Sequence, residues 1–518
     1  MTDTRDSAEE DVGLHSLKRP GSVMSRTAYG TGWVIGWRLA TRALGLLSTL
    51  VLVRLLAPSD FGIVALAMSF VSGLNQISEL GTENAIIRAD KHDRALYDTG
   101  FTINVLRGTF VAIMLLLLAV PASHFFHSPH FKEVVMVAAA VSFLNGFENI
   151  GIVDFRRFIA FGQEFRLKII PRIVSVATAI TLAFLLRDFW ALIIAILVNQ
   201  FLTLILSYRM HPYRPRFTLS AWQRIAAYST MLWLNNLTGL LGNLGTKSMI
   251  GKLSGIGAVG IFEVGMEIAS LPSTELVGPL TRSAFAGFAE IRKSGNNGAE
   301  MLVRIVGIMT LITLPAGVGL SLIATPLVEV AFGHQWIGAI PILQILGVAL
   351  ALTTFSHVSG TVFAVHSWMK AMIKINVTLA VVQLLLLAVL LPSHGLLGAA
   401  IAIAITQIAA QVVFFYVAIK RLDIRISEII LQIWRSVLAC IIMIVTLVAL
   451  GRGWTSPTLL PTSSASVGLQ LAETVLLGAA VYAGSVSILW LLTGRPRGPE
   501  SDLLAQISSL FKRSRSAP

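Results

Sequence analysis

Apolar runs of about 20 residues recur along the chain from Trp33 to Leu492, and Lys and Arg residues gather in every second gap between them. An α-helix rises about 1.5 Å per residue, so a run of this length matches the hydrocarbon core of a bilayer. Positive charge in alternate loops is typical of a chain that crosses a membrane repeatedly, with those loops on the cytoplasmic side. The pattern therefore predicts an all-α polytopic membrane protein.

The apolar runs predict about fourteen transmembrane helices. The predicted spans are 30–53, 59–82, 99–121, 132–153, 168–187, 189–208, 222–246, 258–281, 301–327, 338–362, 369–391, 395–418, 428–450 and 467–492. Only Arg187 and Asp188 separate the fifth span from the sixth, so a count of twelve or thirteen is the alternative.

The distribution of cationic residues tests this topology. With a cytoplasmic N-terminus, thirty of the forty Lys and Arg residues fall in cytoplasmic segments and six fall in periplasmic loops. The remaining four lie within predicted helices: Arg38, Arg42, Arg107 and Arg435. A bias this consistent favours fourteen spans with both termini in the cytoplasm. The polar N-terminal segment has no short apolar core followed by a cleavage site, so we expect the first span to be retained.

Composition argues against several other classes of protein. The chain is 55% hydrophobic and 13% charged, whereas soluble domains carry about a quarter charged residues. The net charge of +13 lies in short loops and in the C-terminal tail, where anionic lipid headgroups explain it, so membrane lipids and not nucleic acid are the expected partners. Cys440 is the single cysteine, so neither an intramolecular disulfide framework nor a Cys-rich metal site is expected.

The sequence contains no HExxH motif, no phosphate-binding P-loop and no nucleophile elbow. His124, His127 and His130 share one outside loop, but Pro129 breaks helical spacing and we favour a solvated loop over a metal site. We therefore predict a protein that is not an enzyme and that uses neither a cofactor nor a metal.

The chain also repeats itself at an offset of about 200 residues. Residues 54–67 match residues 252–265, and in both copies a glycine, Gly62 or Gly260, lies near the start of the second helix. Both copies begin with a helix leaving the cytoplasm, so the repeat is parallel and predicts two pseudo-symmetric six-helix lobes. The predicted domains are a polar cytoplasmic N-tail (1–29), an N-lobe (30–210), a C-lobe (221–420), two extra C-terminal helices (428–493) and a basic cytoplasmic C-tail (494–518).

The first turn and the second helix resemble the opening signature of bacterial polysaccharide flippases. In that family an R-L-L-x-P-x-D-F-G turn joins the first two helices, and L-G and A-I-I motifs end the second. The matching residues here are Arg54, Leu55, Leu56, Pro58, Asp60, Phe61, Gly62, Leu80, Gly81, Ala85, Ile86 and Ile87. Residues 394–407 are similar to a late family stretch. The chain resembles the Wzx-like oligosaccharide-flippase branch of the multidrug/oligosaccharidyl-lipid/polysaccharide exporter superfamily.

The resemblance implies two six-helix lobes around a central cavity. It also implies that alternating access moves an undecaprenyl-pyrophosphate-linked oligosaccharide from the cytoplasmic to the periplasmic leaflet of the bacterial inner membrane, for polysaccharide or lipopolysaccharide biosynthesis. Other polysaccharide assembly proteins are candidate partners. Two alternatives stay open: a multidrug or small-solute antiporter of the same superfamily, and a non-catalytic membrane component of a polysaccharide assembly complex.

Three intramembrane arginines are the candidate substrate-binding residues. Ionisable side chains within membrane helices are costly and usually face a cavity or a partner. Arg38 and Arg42 are four residues apart and share one helix face, and Arg107 lies in the third span. Because a guanidinium stays charged and can bind two phosphate oxygens, these residues predict a cationic cavity for a pyrophosphate substrate. The alternative is that each arginine pairs with a carboxylate and holds helices together.

Acidic and amide side chains supply the other candidates. Glu263 and Glu267 share one face of the eighth span and are predicted to act in coupling or gating, with a static interhelical salt bridge as the alternative. Asn235, Asn236 and Asn243 in the seventh span are candidate sugar contacts, since amides bond hydroxyl groups, although amides also join helices to each other.

Overall fold

The computed structural model describes residues 23–88, 93–158, 160–226, 229–274, 288, 291, 298–353, 358–360, 362–363, 366, 368–455, 464–496 and 498–503. Within these ranges the regular structure is entirely helical, which confirms the predicted all-α class. The chain divides into two compact units, residues 1–260 and 261–518, and each is described by itself. The predicted boundaries of the two lobes stay a prediction.

The first unit begins with helices that pack in sequential pairs. They are α1 (Val23–Leu55), α2 (Pro58–Ser78), α3 (Thr82–Arg88), α4 (Arg94–Phe125), α5 (Pro129–Gly146), α6 (Val153–Arg157), α7 (Phe161–Leu186), α8 (Trp190–Met210), α9 (Trp222–Ala226) and α10 (Ser229–Ser254). Helix α4 packs on α5, α7 on α8, α1 on α7, and α2 on α10. Helix α11 (Ile256–Ala269) starts in the first unit and ends in the second.

A glycine pair and a bend define the path of α5. A Cβ added to Gly108 of α4 would lie 2.8 Å from the carbonyl oxygen of Ser142, so the two helices approach as closely as their backbones allow. After Gly146 the chain turns by 70° into a short helical segment, which begins as the 3-10 turn Ile150–Ile152 and continues as α6. This break lies within the predicted fourth span.

The second unit contains six further α-helices within the described ranges. Its helices are α12 (Ala299–Leu322), α13 (Ala324–Leu327), α14 (Ile340–Ala351), α15 (Met369–Leu422), α16 (Ile426–Ala449) and α17 (Ser464–Leu492). Helix α12 packs on α14 and α16, and α16 packs on α17. Helix α15 has 54 residues but is broken at Gly395, where φ is 56° and ψ is −140°, just after Pro392. Its two arms correspond to the predicted spans 369–391 and 395–418.

Nine helices in the described ranges are long and apolar enough to cross a membrane, or ten if α5 and its bent continuation form one broken span. Helix α15 counts once among these, and a helix occupies each predicted span at least in part. The predicted number of fourteen is consistent with this result. The start of the fifth span differs from the prediction of residue 168, because α7 begins at Phe161. Arg172 therefore lies well within a helix rather than at its cytoplasmic edge.

The segment after α17 folds back on the second unit. Arg435 of α16 donates two hydrogen bonds to Glu500, at 2.7 and 2.9 Å, and both side chains are buried. Arg304 of α12 forms a bidentate pair with Asp502. The segment that follows α17 is therefore attached to α12 and α16.

Candidate functional site

Two arginines of the first unit lie near each other where α1 packs against α7. The Nη2 atom of Arg172 lies 3.4 Å from the position that a Cβ on Gly45 would take. Gly45 follows Arg42 by three residues, so the two positions are neighbours on one face of α1. The absence of a side chain at Gly45 leaves room for the guanidinium of Arg172 against the backbone of α1.

The surroundings of these two arginines differ. Arg42 is partly buried and is engaged by neighbouring groups. Arg172 is exposed and makes no ion pair or side-chain hydrogen bond within the described ranges. It lies about 17 Å along α7 from Phe161, near the middle of the helix. A cation at that depth usually faces a water-filled cavity or a partner, so Arg172 is suited to bind an anion.

A network of ion pairs leads along α7 towards Arg172. Arg156 of α6 donates hydrogen bonds to Glu83 of α3 and to Glu164 of α7, each at 2.7 Å. The Nζ atom of Lys168 lies 3.7 Å from Glu164. Because Glu164, Lys168 and Arg172 are spaced four residues apart, they lie along one face of α7. Along this face, Glu164 and Lys168 belong to the ion-pair network, whereas Arg172 is available to bind a ligand.

The third predicted arginine, Arg107 of α4, lines a separate pocket of about 530 Å³. Its neighbours in the wall are mostly apolar: Ser78, Leu80, Ile103, Leu106, Phe110, Leu219 and Trp222. The Nε atom of Arg107 is buried without a hydrogen-bond partner, and the side chain makes no ion pair in the part of the chain that the structure describes. An unpaired cation beside an apolar wall fits an amphiphile whose anionic group is attached to hydrocarbon.

Fixed donors bind the carboxylates near the start of α4, although Oδ2 of Asp154 accepts no hydrogen bond within the described ranges. Tyr97 donates its hydroxyl proton to Asp154, which is fully buried. Asp98 accepts hydrogen bonds from the hydroxyl of Tyr213 at 2.5 Å and from the backbone N–H of Arg216 at 2.7 Å. The bond from Tyr97 joins α4 to α6, and the bonds to Asp98 attach the extended segment after α8 to α4, so we assign this cluster to the framework of the site.

Residues 51–341 match the family model described as polysaccharide biosynthesis protein. The chain belongs to this family. The part of the chain that matches this polysaccharide biosynthesis family includes α4 and α7, and therefore Arg107 and Arg172. It does not include α16 and α17. The match confirms the family that the sequence resembles.

Named relatives agree with this assignment to the polysaccharide biosynthesis family. The chain is 22% identical to the lipopolysaccharide biosynthesis protein WzxC of Escherichia coli (strain K12), over 80% of this chain and 85% of the relative. It is 22% identical to the succinoglycan biosynthesis transport protein ExoT of Rhizobium meliloti (strain 1021), over 62% of this chain and 66% of the relative. The fold is similar to that of the lipid II flippase MurJ in an inward closed conformation, with a TM-score of 0.66, 14% identity, and coverage of 88% of this chain and 99% of that one.

The other predicted site residues of this family member are only partly described. The side chains of Arg38, Asn235 and Asn236 lie outside the described residues. Asn243 is exposed on α10. Glu263 and Glu267 lie one turn apart on α11, both partly buried and both engaged by other groups. Their predicted roles as sugar contacts and as coupling or gating residues stay predictions.

The sequence did not identify Arg172 as a candidate site residue, and it did not predict the pocket that Arg107 lines. The predicted topology counts Arg172 with the cytoplasmic loop, although it falls in the first turns of the predicted fifth span, 168–187. Its spacing of four residues from Lys168, and of eight from Glu164, was the available signal of a longer helix. The pocket wall around Arg107 includes Leu219 and Trp222, which are more than a hundred residues away in sequence and carried no signal.

Proposed function

We propose that this multi-pass membrane protein is a transporter that flips an undecaprenyl-pyrophosphate-linked oligosaccharide from the cytoplasmic to the periplasmic leaflet of the bacterial inner membrane. Membership of the polysaccharide biosynthesis family and the transport role in the name of one relative support this proposal. The fold shared with a lipid II flippase is consistent with it. Alternating access is the proposed mechanism, and the charge bias of the loops supports two cytoplasmic termini.

The observation that carries the proposal is the unpaired arginine in an amphiphilic pocket. A polyprenyl pyrophosphate joins a strongly anionic group to a long hydrocarbon chain. Arg107 provides a charge that no carboxylate neutralises in the described structure, and Leu106, Phe110 and Trp222 provide the adjacent apolar surface. Transferring the pyrophosphate from the headgroup region into the protein is costly unless such a cation replaces its hydration.

The remaining candidates fit successive stages of the same movement. Arg172, with Arg42 on the facing helix and Arg38 one turn away, would hold the anion deeper in the membrane. Asn235, Asn236 and Asn243 would bind sugar hydroxyls, and Glu263 and Glu267 would act as a gate. A multidrug antiporter that binds organic cations is disfavoured, because the pocket at α4 is lined by a cation and not by a carboxylate.

A deletion strain tests the proposed function. Wild-type protein should restore surface polysaccharide, and R107A should restore less than about a tenth of it, because a lost charge-assisted bond costs roughly 1.5–3 kcal/mol. The exposed Arg425 offers a matched control, since R425A removes one positive charge far from this pocket in sequence. Lipid-linked oligosaccharide should accumulate in the deletion and R107A strains. Normal surface polysaccharide in a deletion strain without a redundant gene contradicts the proposed function.

A further inference from the structure

The break between α5 and α6 contains a carboxylate that the transport scheme above does not use. Glu148 lies two residues after the end of α5, where the chain turns by 70° towards the 3-10 turn Ile150–Ile152. The side chain is partly buried, and its hydrogen bonds go to Asn145 and Gln200 rather than to the ion-pair network of α7 or to the cluster at the start of α4.

The backbone on both sides of Glu148 is fixed to α8 and to the segment after it. The N–H of Asn149 donates to the Oγ atom of Ser207 at 3.1 Å, and the side-chain amide of Asn149 donates to the carbonyl oxygen of Tyr213 at 2.7 Å. On the other side, the hydroxyl of Tyr208 donates to the carbonyl oxygen of Phe147 at 3.0 Å. The carboxylate between these anchors is therefore held in place.

Within the part of the chain that the structure describes, only side-chain amides bind this carboxylate. The Nε2 atom of Gln200 in α8 donates to Oε1 of Glu148 at 2.7 Å, and the Nδ2 atom of Asn145 in α5 donates to the same oxygen at 3.3 Å. Within the described ranges no Lys, Arg or His lies at ion-pair distance from it. Two charged side chains act on it from further away: Glu83 of α3, which repels it, and Lys168 of α7, which attracts it.

Both of these charged neighbours have closer partners of their own. Glu83 is paired with Arg156 at 2.7 Å, and Lys168 is paired with Glu164 at 3.7 Å. Among the described residues, the charge on Glu148 is thus left without a compensating cation in a partly dehydrated setting, and binding a proton removes that cost. A side-chain amide offers both a donor and an acceptor, so Gln200 can satisfy the carboxylate and, after rotation, the protonated acid.

We propose that Glu148 is the proton-binding site through which this transporter is coupled to a proton gradient. The inference rests on the proposed flipping function and adds the coupling ion to it. Other carboxylates fit this role less well. Asp154 has no exposed surface, and Glu164 accepts a hydrogen bond from Arg156. Glu148 combines partial exposure, which lets a proton enter, with partners that suit both protonation states.

Proteoliposomes that contain the full-length protein test this proposal. The probe is lipid-linked oligosaccharide isolated from the source cells, and the measurement is its distribution between the two leaflets under a pH gradient of one unit. One proton per substrate gives a leaflet ratio of up to about tenfold for the wild type, since one pH unit is worth about 1.36 kcal/mol. E148Q should give a ratio near one under the same gradient.

Glu133 provides the matched control, because it lies on the same helix α5 but is half-exposed at its other end. E133Q should keep the wild-type ratio. A wild-type response in E148Q overturns the inference, and so does a wild-type protein that flips the probe without responding to the gradient, although flipping itself then stands. A wild-type protein that does not flip the probe at all contradicts the proposed function and this inference with it.

A second measurement covers the case in which E148Q neither accumulates nor exchanges the probe. Infrared difference spectra after a pH jump show the carbonyl band of a carboxylic acid when a carboxylate takes up a proton. The wild type and E133Q should show this band, and E148Q should lack it. An unchanged band in E148Q overturns the inference even if the variant transports nothing.

Discussion

Gly62 and Gly260 meet backbone to backbone in a reciprocal contact. A Cβ on Gly62 would overlap the carbonyl oxygen of Ile256, and a Cβ on Gly260 would overlap the carbonyl oxygen of Pro58. Gly62 and Gly260 are each the fifth residue of their helices, α2 and α11, and Pro58 and Ile256 are each the first. The sequence repeat aligns these residues in pairs, so the contact follows a local two-fold relation between the two copies.

Substitution of either glycine should therefore destabilise the protein. G62A and G260A each force a methyl group into space that a backbone carbonyl already fills, and overpacking of this kind costs about 1–3 kcal/mol. Thermal unfolding in detergent measures the effect. G242A is the control, because the space around Gly242 of α10 is open and alanine favours a helix. Equal melting temperatures for G62A and G242A contradict the prediction.

The buried ion pair between Arg435 and Glu500 leads to a second prediction about the free energy of unfolding. Because both side chains are about 95% buried, with 5% and 6% exposed, E500A leaves a guanidinium without a counter-charge and should cost about 3–5 kcal/mol. The double variant R435M/E500L removes both charges and should recover much of that loss. D502A is the comparison, since Arg304 is 59% exposed and such pairs contribute at most about 1 kcal/mol. Similar melting temperatures for E500A and D502A argue against this account.

Much of the architecture could be predicted from sequence, because membrane helices obey local rules of length and charge. The two spans predicted at 369–391 and 395–418 correspond to the two arms of helix α15, which is broken at Gly395. The functional details depend on contacts between distant segments and were not visible. The sequence does not show that Gln200 of α8 binds Glu148, because the two residues lie on different helices. Arg172 lies near the start of the predicted fifth span, whereas α7 begins at Phe161 and places it near the middle of a helix.

The ion pair between Asp93 and Arg224 predicts a dependence of stability on pH. The guanidinium of Arg224 donates to the carboxylate and holds the pKa of Asp93 below its usual value. A lowered folded-state pKa adds stability at pH values above the unfolded-state pKa of about 3.9, and that stability is lost as the pH falls through the folded value. Since the pair is partly exposed, the contribution is below about 1 kcal/mol.

D93N isolates this effect, because an asparagine side chain still accepts the hydrogen bond from the N–H of Ala95 at the start of α4. Melting temperatures in detergent should be higher for the wild type than for D93N near pH 7, and the difference should shrink as the pH falls below about 4. R224A should behave as D93N does. A difference that stays constant from neutral to acid pH contradicts the assignment.

Arg172 of α7 should be required for transport, although the predicted topology counts it with the cytoplasmic loop. R172A removes an unpaired intramembrane cation, and we expect the initial rate of flipping in proteoliposomes to fall about tenfold, with R172K intermediate because it keeps the charge but loses the planar fork. G45L should act in the same direction, since its side chain occupies the space where the guanidinium lies. Arg166 is exposed on another face of the same helix, so R166A is the matched control and should retain the wild-type rate. If R172A and R166A flip the substrate at the same rate, the anion does not pass between α1 and α7, and Arg107 remains the cationic residue that the transport proposal requires.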